Sequence, residues 1–293
     1  MQSVINLSIL IPTYKRLDLL QECLHSITQQ NVLPKEVLIG NDDNNNFISE
    51  EKLRNLFNLP ISVINRNISL GQAKNVDDLI QRANSQWLMI IHDDDLLISN
   101  SLEKFFSYID KDNENNVYFG MQKLLEKNRL HTDHEGIDFN NKFHRNINLN
   151  NSSSFDIVSN QSLPSNGFII NTNRAKQIGY TYHIEFNNYG IIKDACDYAF
   201  SWKCFKNNLN FKFLPIFTTI YRITEGSVSN SKNITILESA LTELDVFLNF
   251  DLNNFQKTAI QKKFKKRCVK SLKTCVRIQQ WSLLSKLFLL TFD

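Results

Sequence analysis

The chain has 293 residues, 42% of them hydrophobic, enough for one large domain or for a medium domain with a smaller appendage. This composition excludes disorder, collagen and a disulfide-rich secreted scaffold. The formal charge of +3 hides an asymmetry, because 23 basic residues stand against 29 acidic ones up to residue 256 and 10 against 1 after it. An acidic body carries a basic tail, a pattern that points to an anionic partner, either a membrane surface or nucleic acid.

The first hundred residues alternate short apolar runs with amphipathic stretches, which predicts βαβ units and a mostly parallel sheet. Strands are expected at residues 7–11, 36–40, 61–65 and 87–91. The first crossover holds a helix in which Leu19, Leu20, Cys23, Leu24 and Ile27 recur at three- and four-residue spacing. A shorter helix at 50–57 fills the second crossover, and a helix at 71–83, with Ala73, Val76, Leu79, Ile80 and Ala83 on one stripe, fills the third. Beyond residue 100 the pattern gives a helix near 102–109, a strand near 117–125 and an Asn- and Ser-rich loop over 140–154. It continues with a strand at 167–171, a helix over 194–207, two short strands at 211–214 and 217–222, and helix almost throughout 236–292. The first apolar run is too short for a secretory leader, and no run approaches the length of a membrane span. Five cysteines without a C-x-x-C pair read as reduced thiols of a cytoplasmic protein, with neither zinc nor disulfides.

The sharpest local feature is Asp93-Asp94-Asp95, just after the strand at 87–91. Ligands of open α/β sheets bind at the carboxyl ends of strands. Three adjacent carboxylates repel one another and are tolerated best in water or around a cation; magnesium and manganese take oxygen ligands and bridge to diphosphate. The bland alternative is a solvated turn that caps the next helix. A second pair, Asp42-Asp43, follows the second strand, and the first strand ends in Pro12-Thr13-Tyr14. Three strand ends thus bring a ring that can stack on a base, a carboxylate that can accept an imino proton and a carboxylate triplet to one edge of the sheet. Gly71 stands at a helix start with Lys74 just inside, where amides and a cation favour phosphate. The segment is neither a P-loop nor G-x-G-x-x-G.

Four segments, Ile11-Pro12-Thr13-Tyr14, Ile39-Gly40-Asn41-Asp42-Asp43, Asn67 to Asn75 and Ile91-His92-Asp93-Asp94-Asp95, resemble the family 2 glycosyltransferases in order and spacing. Ser165-Asn166-Gly167, the run from Cys196 to Lys203 and the run from Tyr221 to Ser229 extend the resemblance, so that it covers about residues 5–230. It implies an α/β fold of GT-A type, a Rossmann-like, mostly parallel mixed sheet flanked by helices. It also implies an inverting transfer from a nucleoside diphosphate sugar with a divalent metal, Mn2+ or Mg2+. By the same resemblance Tyr14 and Asp43 hold the base, Pro12 and Thr13 shape its pocket, Lys74 lies near the diphosphate and Asp93 faces the ribose. Asp94 takes the final acidic position of the D-x-D register as main metal ligand, with Asp95 just after it and His92 where the first Asp is usual. Asp197 matches the general base, and Asp194 competes for that role. Lys74 and Lys203 replace a common Arg, and Thr224 a common His.

These implications divide the chain into a catalytic region, 1–230, with a nucleotide-binding half (1–100) and an acceptor half (101–230), and a helical extension, 231–293. In the extension Phe264, Cys268, Leu272 and Val276 recur every four residues, with Ile260 and Val269 beside them and lysines and arginines elsewhere. An apolar run around Trp281 and Leu290 follows. Two readings stay open: the extension lies in the interface of an anionic membrane, or it covers the sheet or a second subunit. The expected function is synthesis of a bacterial-type surface polysaccharide or lipid-linked glycan, with a UDP-sugar as first choice of donor. The enzyme would be a metal-dependent hexosyl- or N-acetylhexosaminyltransferase, cytoplasmic and peripheral on the inner face of the membrane. The rival is a catalytically idle nucleotide-sugar-binding or scaffold protein, and nucleic-acid binding ranks last because the body is acidic and contains no nucleic-acid module.

Overall fold

The computed structural model describes residues 2–112, 116–223 and 232–277. Its strands and helices, in chain order, are β1 (Ser3–Thr13), α1 (Leu17–Thr28), β2 (Val32–Asn41), α2 (Glu50–Phe57), β3 (Ile61–Asn65), α3 (Gln72–Arg82), β4 (Trp87–Ile90), β5 (Leu96–Leu97), α4 (Ser101–Ile109), β6 (Val117–Glu126) and β7 (Arg129–Leu130). They continue as α5 (Asp133–Asn141), α6 (Ser154–Ser159), β8 (Phe168–Asn171), α7 (Thr172–Ile178), β9 (His183–Ile184), β10 (Gly190–Ile191), α8 (Cys196–Lys206), β11 (Phe211–Ile223), α9 (Lys232–Asn249) and α10 (Asn254–Arg277).

Nine strands form one mixed sheet in the order β3-β2-β1-β4-β8-β6-β11-β5, with β7 on β6. β1 to β4, β6 and β11 run one way, and β5, β7 and β8 run against them. The sheet is mostly parallel because βαβ crossovers build its first half; helix-covered parallel strands are apolar on both faces, and Leu7, Ile9, Leu10 and Ile11 of β1 are all fully buried. The stripe read on α1 is the one that packs, with Leu20, Cys23, Leu24 and Ile27 in the core beside Phe105 of α4. Burying each of the larger apolar side chains contributes about 2 kcal/mol. Gly40, at the end of β2, lets α3 approach closely: a Cβ there would lie 2.4 Å from Asn75 Oδ1.

The loop expected over 140–154 is present as turns, and it is flanked by two helices that the sequence reading does not place. α5 runs to Asn141, a 3-10 turn spans Ile147–Asn151 and α6 begins at Ser154. Both helices start in capping boxes, Thr132 with Glu135 and Ser153 with Asp156. Asn140, a residue that reads as a loop former, is buried and donates to the Gln122 and Gly136 carbonyls. The two strands expected at 211–214 and 217–222 are one, β11, which crosses Pro215 with register shifts against β6.

Contacts divide the chain into two compact units, residues 1–180 with 207–224 and residues 181–206 with 225–293. The partition is discontinuous, whereas the sequence reading cuts the chain once, at 230. The first unit holds the sheet and α1 to α7; the second holds β9, β10, α8, α9 and α10. Within the second, Trp202 is buried edge-on against Tyr198, Phe205 and Phe250. α10 packs on α9 through a stripe of which Ile260, Phe264 and Cys268 are buried, while Val269 and Lys262, Lys266 and Lys270 are exposed. The described part of the apolar stripe is therefore buried, and a cationic face remains outside. The side chains of Leu272 and Val276 and the run around Trp281 lie outside the described residues. Among the described residues no helix is long and apolar enough to cross a membrane. Cys23, Cys196, Cys204 and Cys268 are buried and form no disulfide among the described residues.

Glu243 of α9 is fully buried; Tyr198 donates to it at 3.0 Å and Arg267 Nη1 of α10 lies 3.1 Å away. Burial outweighs these partners and pushes its pKa up to about 7. A carboxyl that binds its proton more tightly when folded contributes stability below its unfolded pKa and loses it as pH rises through the folded value. Unfolding free energy should therefore fall by up to about 3 kcal/mol between pH 4.5 and 8, counting only this group. Glu243→Gln should flatten that slope in urea titrations across the same pH range; an unchanged slope would assign the dependence to other groups.

Candidate functional site

Three strand ends of the first unit meet at the carboxyl edge of the sheet. β1 delivers Thr13, whose hydroxyl donates to Asp93 Oδ2 at 2.7 Å. Tyr14 follows, half exposed, with Lys15 Nζ 4.9 Å from its ring centre. Arg16, which precedes α1, places Nη1 2.7 Å from Asp94 Oδ2 and 3.5 Å from Asp93 Oδ1.

The end of β2 shapes the loops around it. Asp42 accepts from Ser69 Oγ at 2.7 Å, Leu70 N at 2.7 Å and Gly71 N at 2.9 Å. The amides in front of α3 that the sequence offers to phosphate are thus taken by a carboxylate of the protein, while Lys74, one turn inside, is exposed. Asp43 accepts from Asn46 Nδ2 and Asn45 N, and these hydrogen bonds hold it below the usual carboxylate range. Asn41 and Asn65 tie residues 46–48 to the sheet.

The acidic triplet is buried, unlike a solvated turn: Asp93, Asp94 and Asp95 are 5%, 7% and 0% exposed. Asp95 accepts from Arg222 N at 2.8 Å and Asn166 Nδ2 at 2.6 Å, so it ties the end of β4 to β11 and to the loop before β8. Burial, with Asp94 beside it, pushes the Asp95 carboxyl well up, and burial also raises Asp93 against the pull of Thr13. The Arg222 side chain binds the Asp94 carbonyl at 2.9 Å and pairs with Glu22. Ligand atoms of His92, Asp94 and Asp95 lie within 4.8 Å of one another, and His92 Nε2 is buried without a partner. One imidazole nitrogen and two carboxylates, next to a third carboxylate and with the Arg16 guanidinium on Asp94, suit a hard divalent cation such as Mn2+ or Mg2+.

Asp194 and Asp197 belong to the second unit, where Asp194 leads into α8 and Asp197 lies in its first turn. The three amides of residues 193–195 all donate to Glu238 of α9. Lys203 Nζ donates to the Thr181 carbonyl at 2.7 Å. Arg16 and Glu238 escaped the sequence reading because nothing in their local pattern marks them; each acts on a segment more than 40 residues away.

A profile described as glycosyl transferase family 2 matches residues 8–167, more than half of the chain. The chain belongs to glycosyl transferase family 2. Among curated proteins it is similar to abequosyltransferase RfbV of Salmonella typhimurium, 31% identical over 157 residues that cover 49% of this chain and 46% of that protein. It is also similar to an uncharacterized glycosyltransferase, YwdF, of Bacillus subtilis, 32% identical over 104 residues, 36% of this chain and 38% of that one. The alignments thus span less than half the length of these curated relatives. Among solved structures, S. aureus TarS 1-349 in complex with UDP-GlcNAc superposes with a TM-score of 0.62 at 20% identity, over 92% of this chain and 73% of that one. Mannosyltransferase PcManGT from Pyrobaculum calidifontis, in complex with GDP-Man and Mn2+, gives 0.60 at 9% identity, over 98% and 85%. These two likenesses establish the fold, the mixed sheet and helices of the GT-A glycosyltransferases.

Proposed function

We propose that this family 2 member is an inverting glycosyltransferase that moves a hexosyl or N-acetylhexosaminyl group from a UDP-sugar to a hydroxyl of a glycan or lipid-linked acceptor in surface polysaccharide synthesis. The observation that carries this reading is the buried acidic triplet at the end of β4, with the His92 ring beside it, Nδ1 4.0 Å from Asp95 Oδ2 and a ligand atom of the ring within 4.8 Å of those of Asp94 and Asp95. A buried surplus of negative charge is costly unless a cation meets it, and a diphosphate leaving group needs the same cation.

In this reading Tyr14 stacks on the base and Asp43 accepts its imino proton, with Pro12 and Thr13 closing that pocket. Asp93, oriented by Thr13, holds the ribose. Asp42 and Gly71 act through the loop they fix, which presents Lys74 to the diphosphate. His92, Asp94 and Asp95 would hold Mn2+ or Mg2+, which when bound offsets charge on the leaving diphosphate. Asp197 takes the proton of the acceptor hydroxyl as that oxygen attacks the anomeric carbon, with Asp194 as the competing base.

The test is a panel of UDP-, GDP- and CDP-sugars scored by metal-dependent protection against heat denaturation and by nucleoside diphosphate release. UDP-sugars with Mn2+ should raise the melting temperature by several degrees, as ligand at about 100 times Kd stabilises by about 2.7 kcal/mol. Protection without any sugar transfer or hydrolysis would favour the idle binding protein.

The cationic face of α10 supports a peripheral position at an anionic membrane, the second part of the proposal. Lys262, Lys266 and Lys270 contribute about 1 kcal/mol each near such a surface. Their replacement by Glu should abolish co-sedimentation with phosphatidylserine vesicles at low salt and leave UDP binding unchanged. Equal sedimentation of wild type and variant would place the lysines in plain solvent.

A further inference from the structure

We propose that Glu238, in the helical extension, is a positioning residue for the loop that carries the base candidates. It is 1% exposed, and its carboxylate gathers four donors. Oε1 accepts from Tyr189 Oη at 3.1 Å and Lys193 N at 3.0 Å, and Oε2 from Lys193 N at 3.1 Å, Asp194 N at 2.6 Å and Ala195 N at 2.9 Å. One of those amides is that of Asp194 itself, and Asp197 follows two residues after the last of them. Two more carboxylates of α9 bind the same segment, Glu243 at Tyr198 and Asp245 at Tyr182, whose hydroxyl donates at 2.5 Å.

The carboxylate has a stabilising side, since it satisfies three main-chain donors in front of α8 and so offsets its own desolvation cost of several kcal/mol. What the carboxylate adds is direction. It fixes the orientation of three consecutive peptide units and so restricts the main chain from which Asp194 and Asp197 project. A misplacement of about 1 Å in such a group can cost about 100-fold in rate. The extension is then part of the catalytic apparatus, supplied from outside the segment matched by the family profile.

This inference rests on the reading of Asp194 or Asp197 as the base, and the experiment separates the two claims. In the full chain, Glu238→Gln is compared with Phe264→Leu, a core change on α10 that destabilises the same unit. By hydrogen exchange, peptides covering 193–195 should exchange at least about 10-fold faster in Glu238→Gln, with those of α1 and α3 unchanged. Affinity for UDP with Mn2+ should stay within about 2-fold, while kcat for nucleoside diphosphate release across the sugar panel falls by about 10- to 100-fold at unchanged donor KM. Phe264→Leu should lower the melting temperature and keep kcat. If Glu238→Gln does not fold, Tyr189→Phe, which removes one donor from the same carboxylate, should lower kcat by about 2- to 5-fold. Wild-type exchange at 193–195, or a fall in kcat equal to that of Phe264→Leu, would overturn the proposal. Full turnover in both Asp194→Asn and Asp197→Asn would remove the base reading on which it rests; an inactive Asp197→Asn beside a fully active Glu238→Gln would overturn the positioning role alone.

Discussion

Asp94→Ala is expected to lower nucleoside diphosphate release by roughly a thousandfold while leaving the melting temperature nearly unchanged. Asp94 and Asp95 are adjacent and both buried, yet their attachments differ. Asp94 meets the Arg16 guanidinium, which is about one-third exposed and reaches it from outside the sheet. Asp95 is built into the frame, with one oxygen on Arg222 N of β11 and the other on Asn166 Nδ2. Truncating Asp95 strands a buried amide and a buried side-chain donor, at a cost of about 1–3 kcal/mol for each, offset in part by relief of its own desolvation. Asp95→Ala should therefore lower both stability and turnover, and Asp94→Ala turnover alone. Thermal melting and turnover measured on both variants decide between these outcomes. A large drop in melting temperature for Asp94→Ala, with turnover falling only in proportion, would mean that the triplet is a folding device and that the chemistry lies elsewhere.

The same contrast shows which parts of this molecule are legible along the chain. The strands at 61–65 and the helix at 50–57 stand where the sequence puts them, and the first strand is longer than expected at both ends. Parallel strands covered on both faces must be continuously apolar, and crossover helices must carry a stripe, so local pattern and global fold agree there. The helices α5 and α6, on either side of the loop at 140–154, escape that reading, because what orders the chain there is a buried polar network. Asn140 bonds to both backbone groups of Gln122, and the Arg145 guanidinium binds Gln122 Oε1 and the Ser162 carbonyl. Polar residues used this way look like loop residues in the sequence. The T-x-x-E and S-x-x-D pairs that start these helices are their local signals, set within an Asn- and Ser-rich composition that reads as a loop.

At the site, the carboxylates were legible because each follows an apolar strand. Their partners were not. Thr13 meets Asp93 across 80 residues and Arg222 meets Asp95 across 127, separations that only the closed sheet makes short. The second unit has the same character: residues 181–206 are organised by carboxylates of α9 that lie more than 40 residues away along the chain.

Gly167→Ala is expected to destabilise the protein by about 2–4 kcal/mol, the sum of backbone strain and overpacking. Gly167 has φ of +74°, in the left-handed region, and a Cβ there would lie 2.3 Å from Thr219 Cγ2 and 3.1 Å from Thr219 Oγ1. The two costs are separable. Thr219→Ser deletes the offending methyl but leaves φ as it is, so the double variant should recover the overlap cost, about 1–2 kcal/mol, and keep the strain. A urea-denaturation double-mutant cycle reads this as a coupling energy, and strict additivity would mean that the chain moves away from β11 rather than pressing on it. Such a movement would have its own signature. Asn166, one residue before, donates to Asp95, and Gly167 N donates to the Ile90 carbonyl at 2.7 Å. A loop that shifts outward releases Asp95, so additivity in stability should come with a loss of Mn2+-dependent UDP affinity, whereas a loop held in place should lose stability and keep that affinity.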